Sequence, residues 1–142
     1  MLKLENITLI ALTSIHLETT IDALMYSSED IEFGDIKFIS HEKPNDLPDK
    51  ITHEYCPKMS NIDEWNRTMV YDAFKYVNTE FAILIHDDGF IVNADSWRDE
   101  FLDYDYIGAP WGHKHLLDSE GRIIRVGNSV SLRSRKLMEL PT

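Results

Sequence analysis

The segment Phe81–Phe90 has the residue types and the order of a ligand site at the end of a buried strand. It reads FAILIHDDGF, so five apolar residues run directly into His86, Asp87, Asp88 and a glycine. A short continuous apolar run is typical of a strand buried in a parallel sheet, and open parallel sheets bind ligands beyond the carboxyl ends of their strands. Two acids there can hold a hard cation, which in turn can hold a diphosphate. Because Asp and Gly are also common turn residues, a solvated turn is the alternative interpretation.

Two upstream segments have the pattern of a βαβ unit that would place this strand in a sheet. Ile7–Leu12 and Asp35–Ser40 are rich in apolar residues and each ends near small hydroxyl residues. Between them, Leu17–Ser27 has apolar residues at helical spacing. The pattern therefore predicts two parallel strands joined by a right-handed helical crossover.

The rest of the chain adds further strands and helices to this unit. Ile51–Tyr55 is predicted to form a short edge strand, and Asn61 to cap a helix that leads towards Phe81. Asn93 is a second predicted cap, for a helical turn over Ala94–Tyr104, and Gly127–Ser129 is predicted to separate two strands. The order predicts an α/β fold, a three-layer α/β/α sandwich with a mainly parallel sheet.

Length and charge restrict the function classes. The 142 residues fit one domain spanning residues 1–142. Because 25 acidic residues against 14 lysines and arginines give a net charge of −11, no basic field attracts nucleic acid, and we expect no nucleic-acid partner. An anionic ligand would need a metal or a local basic patch.

Redox and targeting signals are few. The single Cys56 excludes an intramolecular disulfide, and a buried thiol is its expected state. The amino-terminal apolar stretch is too short and too acidic for a signal peptide, and the sequence has no run of apolar residues long enough to span a bilayer. The expected location is cytoplasmic, without a transmembrane segment, and the oligomeric state is left open.

Three strings of the sequence resemble one family. They are HDDGF, WRDEFLDYDYIGAPW (Trp97–Trp111) and VGNSVSLRSRKLM (Val126–Met138), and ALTSI, FISHEKP and EYCPKM also fit the pattern. Together they resemble a family of glycosyltransferase-like domains with the GT-A (nucleotide-diphospho-sugar transferase) fold, of which this chain would be a C-terminally short member. In that family the acid before the glycine recurs, which favours Asp88 over Asp87. Around Asn128 the loop is one residue shorter than the family pattern.

The resemblance implies sugar transfer from a nucleotide-diphosphate donor to a glycan or another hydroxyl acceptor. It implies Mn²⁺ or Mg²⁺ as cofactor, held by Asp88 with Asp87 as a partner. It assigns the donor nucleotide to Thr13, Ser14, His86, Asn128 and Arg133, with His86 either as a ligand or as a hydrogen-bond donor to the ribose. It assigns the sugar and acceptor to Trp111, Gly127 and Asn128, and the acceptor-side base to Asp103 and Asp105. Several of these residues also have a structural interpretation. Thr13 and Ser14 would then be small residues that close a strand, and His86 a histidine that ends one. Arg133 would be a surface arginine, Trp111 a core residue, and Asp103 and Asp105 solvated carboxylates.

Three hypotheses follow for the function. The first is a glycosyltransferase. The second is a catalytically inactive module that keeps the fold for binding or as a scaffold, which the shorter loop and the early end of the sequence favour. The third is a metal-dependent phosphohydrolase, which the acid pair permits although a general-acid partner is not evident.

Overall fold

A six-stranded mixed sheet organises the residues that the structure, a computed structural model, describes: 1–110, 117–123 and 126–141. Its order is β3-β2-β1-β4-β6-β5. The first four strands in this order are parallel to one another, whereas β6 is antiparallel to both β4 and β5. The predicted α/β class is confirmed, with a mixed sheet. The strands are β1 (Leu2–Leu12), β2 (Ile31–Ser40), β3 (Thr52–Tyr55), β4 (Phe81–Leu84), β5 (Tyr106–Pro110) and β6 (Val126–Ser134).

The three predicted parallel strands are neighbours, with β1 between β2 and β4. Both β1 and β2 begin earlier than predicted, because their first residues alternate apolar and polar and lack a continuous apolar run. The predicted edge strand at Ile51–Tyr55 is confirmed as β3. The expected break at Gly127–Ser129 is wrong: β6 runs through it as one strand, although its pairing with β5 is irregular there, since Gly108 pairs with Ser131 and Pro110 with Val126.

Three α-helices accompany the sheet in the described part of the chain. They are α1 (Leu17–Ser27), α2 (Ile62–Tyr71) and α3 (Arg135–Met138). The predicted cap of α2 is confirmed, since Asn61 Oδ1 accepts a hydrogen bond of 2.9 Å from the Glu64 N–H. Instead of one turn over Ala94–Tyr104, the structure has two short 3₁₀ helices, Ala94–Ser96 and Asp99–Asp103, separated by extended backbone at Trp97 and Arg98. None of the described helices is long and apolar enough to cross a membrane.

Apolar side chains are buried on both faces of the sheet. One face packs against α1 and the 3₁₀ segments, through residues that include Leu24, Phe38 and Ile83. The other packs against α2 and α3, and there Met69 and Leu84 are fully buried. Cys56 is buried on this second side, as expected. The sheet is therefore held from both sides, and its strand ends are the positions left for a ligand.

Gly34 permits a bulge that sets the register of β1 against β2. Leu4 pairs with Phe33 and Thr8 with Asp35, so three residues of β1 lie opposite Gly34 alone. A Cβ at this position would lie 2.1 Å from the backbone oxygen of Glu5. Since the clash is with backbone, no side-chain rotation relieves it.

Replacing Gly34 with alanine should therefore destabilise the chain. We expect the unfolding free energy to fall by about 1–3 kcal/mol or more, as for other overpacked sites, measured by urea denaturation. Glu32→Ala, an exposed position on the same strand, is the matched control and should change little. An unchanged midpoint for Gly34→Ala would contradict the bulge geometry.

Candidate functional site

A cleft of about 530 Å³ lies at the carboxyl ends of β1 and β4, where the order of the strands in the sheet reverses. The connections from β1 lead to β2 and β3 on one side, while β4 lies on the other side of β1. The carboxyl ends of β1 and β4 therefore flank a topological switch point, the usual ligand position in open α/β sheets. The lining comes from the residues after these two strands, the amino-terminal parts of α1 and α2, and Ser129 of β6.

Asp87 and Asp88 form a tight turn at the end of β4. The turn is closed by hydrogen bonds from the His86 N–H to the Gly89 carbonyl, 2.8 Å, and from the Gly89 N–H to the His86 carbonyl, 3.4 Å. Asp87 is half-buried and its Oδ2 lies 3.5 Å from Thr19 Oγ1, whereas Asp88 is exposed. Both line the cleft. The predicted turn is therefore present at Asp87 and Asp88, and the same turn presents both carboxylates to the cleft.

Gly89 lets this turn approach β6 closely. A Cβ on Gly89 would lie 2.7 Å from Cγ2 of Val130. The glycine of the Asp-Asp-Gly motif therefore has a packing role besides its place in the turn. It allows the acid turn and β6 to lie side by side at the cleft.

The loop after β1 contributes Thr13 to the cleft but not Ser14. Thr13 Oγ1 accepts a hydrogen bond of 3.0 Å from the Ile15 N–H and donates one to the Ile15 carbonyl. Ser14 Oγ instead accepts a hydrogen bond of 2.8 Å from the Met59 N–H and ties this loop to the segment before α2. His16, the last residue before α1, has φ 52° and ψ 46°, a left-handed conformation. Thr13 and His16 line the cleft; Ser14 has a structural contact outside its lining.

Trp65 joins α2 to both strand ends, and the sequence interpretation did not single it out as a site residue. Its indole N–H donates a hydrogen bond of 2.8 Å to the Leu12 carbonyl, and its ring centroid lies 5.1 Å from that of His86. The available signal was its helical spacing from Ile62, just after the cap. Spacing alone cannot show that this helix face reaches the cleft.

His86 lines the cleft, and its surroundings favour the neutral imidazole. Burial lowers the pKa of its imidazole, and Arg133 acts in the same direction. The carboxylates of Asp88 and Asp87 oppose this shift, but the effect of burial is larger. A neutral imidazole offers one donor and one acceptor nitrogen, so His86 suits a hydrogen bond to a ligand or coordination of a metal through its unprotonated nitrogen.

The two predicted acceptor-side acids do not lie in the cleft. Asp105 Oδ1 accepts a hydrogen bond of 2.7 Å from Ser134 Oγ, and Ser134 pairs with Phe81 at the start of β4. This is the opposite end of β4, roughly 16 Å away at about 3.3 Å per residue. Asp103, at the end of the second 3₁₀ helix, is exposed and outside the cleft lining. The predicted base therefore lies apart from the predicted metal ligands.

The remaining predicted positions belong to β6 or lie outside the described residues. Arg133 is only 6% exposed, donates from Nε to Ser131 Oγ at 2.9 Å, and lies with its guanidinium 5.4 Å from the Tyr106 ring centre. It is a buried residue of β6, neither the surface arginine nor a phosphate contact at the cleft surface. Gly127 and Asn128 lie within β6, and Trp111 is outside the described residues.

The donor set suits a cation that shares its coordination with a ligand. The described residues contain no group of three or more His, Cys, Asp and Glu side chains arranged to hold a metal. Two adjacent carboxylates supply hard oxygen ligands of the kind that Mg²⁺ and Mn²⁺ prefer. With so few protein ligands, a cation at Asp87 and Asp88 would need phosphate or water oxygens to complete its shell.

Replacing Trp65 with phenylalanine tests the hydrogen bond that joins α2 to β1. The ring beside His86 is kept, but the Leu12 carbonyl loses its donor. We expect the unfolding free energy to fall by roughly 1 kcal/mol, the usual net value of such a bond, measured by urea denaturation. Trp97→Phe is the control, because its indole N–H bonds the exposed Asp99 carboxylate at 3.0 Å and water can replace that contact. Equal losses in both variants would contradict a special role for Trp65.

Comparison with known proteins assigns the family. No curated protein matches the chain. Residues 50–140, which include α2, β4, the acid turn and β6, match the family described as "Protein of unknown function (DUF5672)". Since this match covers well over half of the sequence, the chain belongs to that family.

Proposed function

We propose that the chain binds a nucleoside-diphosphate sugar together with Mn²⁺ or Mg²⁺ at the Asp87–Asp88 turn, and transfers the sugar to a hydroxyl acceptor. The observation that carries the proposal is the convergence of Thr13, His86 and the two carboxylates on one cleft at the switch point. A nucleotide ligand is the expected occupant of such a position in an α/β sheet. The transfer step rests on the resemblance to glycosyltransferase-like domains.

Electrostatics supports a metal complex as the bound form. The chain carries a net charge of −11, and two of its carboxylates, those of Asp87 and Asp88, face any ligand in the cleft. A bare diphosphate would be repelled there, whereas a diphosphate with a divalent cation would be attracted. When bound, the cation would also neutralise the charge that develops on the departing diphosphate.

The side chains of the cleft would position this ligand. Asp88 and Asp87 would hold the cation, and the resemblance suggests that Asp88 is the more important of the two. The neutral imidazole of His86 would offer a hydrogen bond near the phosphates or ribose, held in place by the Trp65 ring. Thr13 has its hydroxyl engaged with Ile15, so its contribution would be to shape the loop.

The sheet is compatible with the GT-A fold that the resemblance suggests. Five strands share one direction and β6 is inserted antiparallel between β4 and β5. Helices or 3₁₀ segments pack on both faces. This arrangement supports the fold proposal without deciding the activity.

A second candidate is the inactive module that binds nucleotide without transfer. The placement of Asp105, which bonds Ser134 at the opposite end of the sheet, favours it. Asp103 is also outside the cleft lining, so the predicted acceptor-side base is missing from this site. Metal-dependent nucleotide binding is common to both candidates, and sugar transfer separates them.

Substituting Asp88 with asparagine tests the shared part of these candidates. We expect Mn²⁺ to bind the chain weakly alone and more tightly with UDP or GDP. In Asp88→Asn, nucleotide affinity in Mn²⁺ should drop at least about tenfold, or roughly 1.4 kcal/mol, because a charged ligand is lost while its shape is kept. Asp87→Asn should cost less. Isothermal titration calorimetry measures both.

Asp95→Asn is the matched control, since Asp95 is an exposed acid outside the cleft lining. It should bind nucleotide as the wild type does. Metal-independent binding that is equal in wild type and Asp88→Asn, or no binding in either, would contradict the cation site. If nucleotide binds and water is the only acceptor, so that a phosphate ester is hydrolysed and no sugar is transferred to another hydroxyl, the phosphohydrolase hypothesis would be favoured.

A further inference from the structure

Two isoleucines at the cleft are unusually exposed. Ile15 is 65% and Ile62 is 67% exposed, more than any other isoleucine side chain that the structure describes. Both line the cleft, Ile15 from the loop after β1 and Ile62 from the start of α2. Single exposed apolar residues are ordinary on a protein surface, but two on one cleft are a local apolar patch.

The exposure of Ile62 follows from the position of α2. Ile62, Trp65 and Met69 lie on one helical stripe, at spacings of three and four residues. Burial decreases along this stripe towards the cleft: Met69 is 1% exposed, Trp65 is half-buried and Ile62 is mostly exposed. The core-facing stripe of α2 therefore continues past the buried core and over the cleft, where Ile62 has little protein to cover it.

The exposure of Ile15 is fixed by the loop that holds it. Its backbone N–H and carbonyl both bond the Thr13 hydroxyl. The next residue, His16, adopts left-handed backbone at φ 52°, which is unfavourable for a residue other than glycine. The two hydrogen bonds to Thr13 thus hold Ile15 at the cleft in a defined backbone conformation.

We propose that Ile15 and Ile62 contact the nucleobase of the ligand, so that the cleft prefers a nucleoside diphosphate to a bare diphosphate. This inference rests on the proposed function and deepens it. The cleft has chemically different parts: the carboxylates of Asp87 and Asp88, and an apolar part formed by Leu12, Ile15, Ile62 and Trp65. Phosphates and sugar hydroxyls gain nothing from apolar contact. The flat faces of a base do, because water is removed from both surfaces.

The test compares nucleotides with inorganic pyrophosphate, which keeps the diphosphate but has no base. Calorimetry in Mn²⁺ is carried out with UDP, GDP and pyrophosphate on the wild-type chain, Ile62→Ser and Ile15→Ser. We expect each substitution to weaken UDP or GDP binding about tenfold and to leave pyrophosphate binding unchanged. Val92→Ser is the matched control, since Val92 is 72% exposed and outside the cleft lining, and it should change neither affinity.

The outcomes separate this inference from the proposed function. If wild type binds pyrophosphate as tightly as nucleotides, or if the serine variants weaken both equally, the base contact is overturned while the cation site stands. If wild type binds no nucleotide in Mn²⁺, both proposals are overturned. Two variants from different elements guard against misfolding, and a denaturant midpoint for each shows that the fold is intact.

Discussion

The burial of β1 between two parallel neighbours is the constraint on which the rest of the structure depends. Its residues from Ile7 to Leu12 are buried, and hydrogen bonds tie its end to both sides. The Thr13 N–H donates to the Ile39 carbonyl, 3.1 Å, and the Ile85 N–H to the Ile10 carbonyl, 3.0 Å. Because these bonds fix where β1 ends relative to β2 and β4, they also fix the cleft.

Because β1 is central in the sheet, the cleft at its end is assembled from distant parts of the sequence. Trp65 bonds the last carbonyl of β1 and packs on His86 after β4, so one side chain joins α2 to both strands. Ser14 bonds Met59 and holds the loop after β1 against the segment that precedes α2. The acid turn is then positioned by β4 and by the close approach of Gly89 to Val130. Each contact is local, but together they place two carboxylates beside an apolar surface.

Sequence patterns predicted the strands whose buried residues are all apolar, but not the full extent of a strand that also buries polar residues. The continuous apolar runs of β1, β2 and β4 were sufficient to predict parallel neighbours. β6 was divided in the prediction at Gly127–Ser129, because Gly, Asn and Ser are common turn residues. The part of β6 that follows carries Ser131, Arg133 and Ser134, polar residues that give no sign of burial in the sequence. In the structure all three are buried, and Arg133 is accommodated by the Ser131 hydroxyl and the Tyr106 ring. A polar residue satisfied by a distant partner leaves no periodic signal.

The same distinction applies to the candidate site. Thr13, His86 and the two acids were predictable because residues that follow parallel strands share one edge of a sheet. Asp105 was placed in the site by resemblance, but it precedes β5, which runs in the same direction as β4. A residue before such a strand lies at the amino end of the sheet, opposite the cleft. Ile15 and Ile62 were missed because their role depends on how far a loop and a helix extend beyond the sheet, which spacing does not show.

Paramagnetic broadening of amide resonances by Mn²⁺ tests the central claim, a cation site at the switch point that is completed by a diphosphate. In a ¹⁵N-labelled chain with UDP present, substoichiometric Mn²⁺ should broaden the amides of Thr13, Asp87 and Gly89 and the indole of Trp65 most strongly. The amides of Asp105 and Ser134, at the opposite end of the sheet, should be broadened much less, because the effect falls steeply with distance from the ion. Strongest broadening around Asp103 and Asp105, or the same broadening with and without UDP, would contradict the claim.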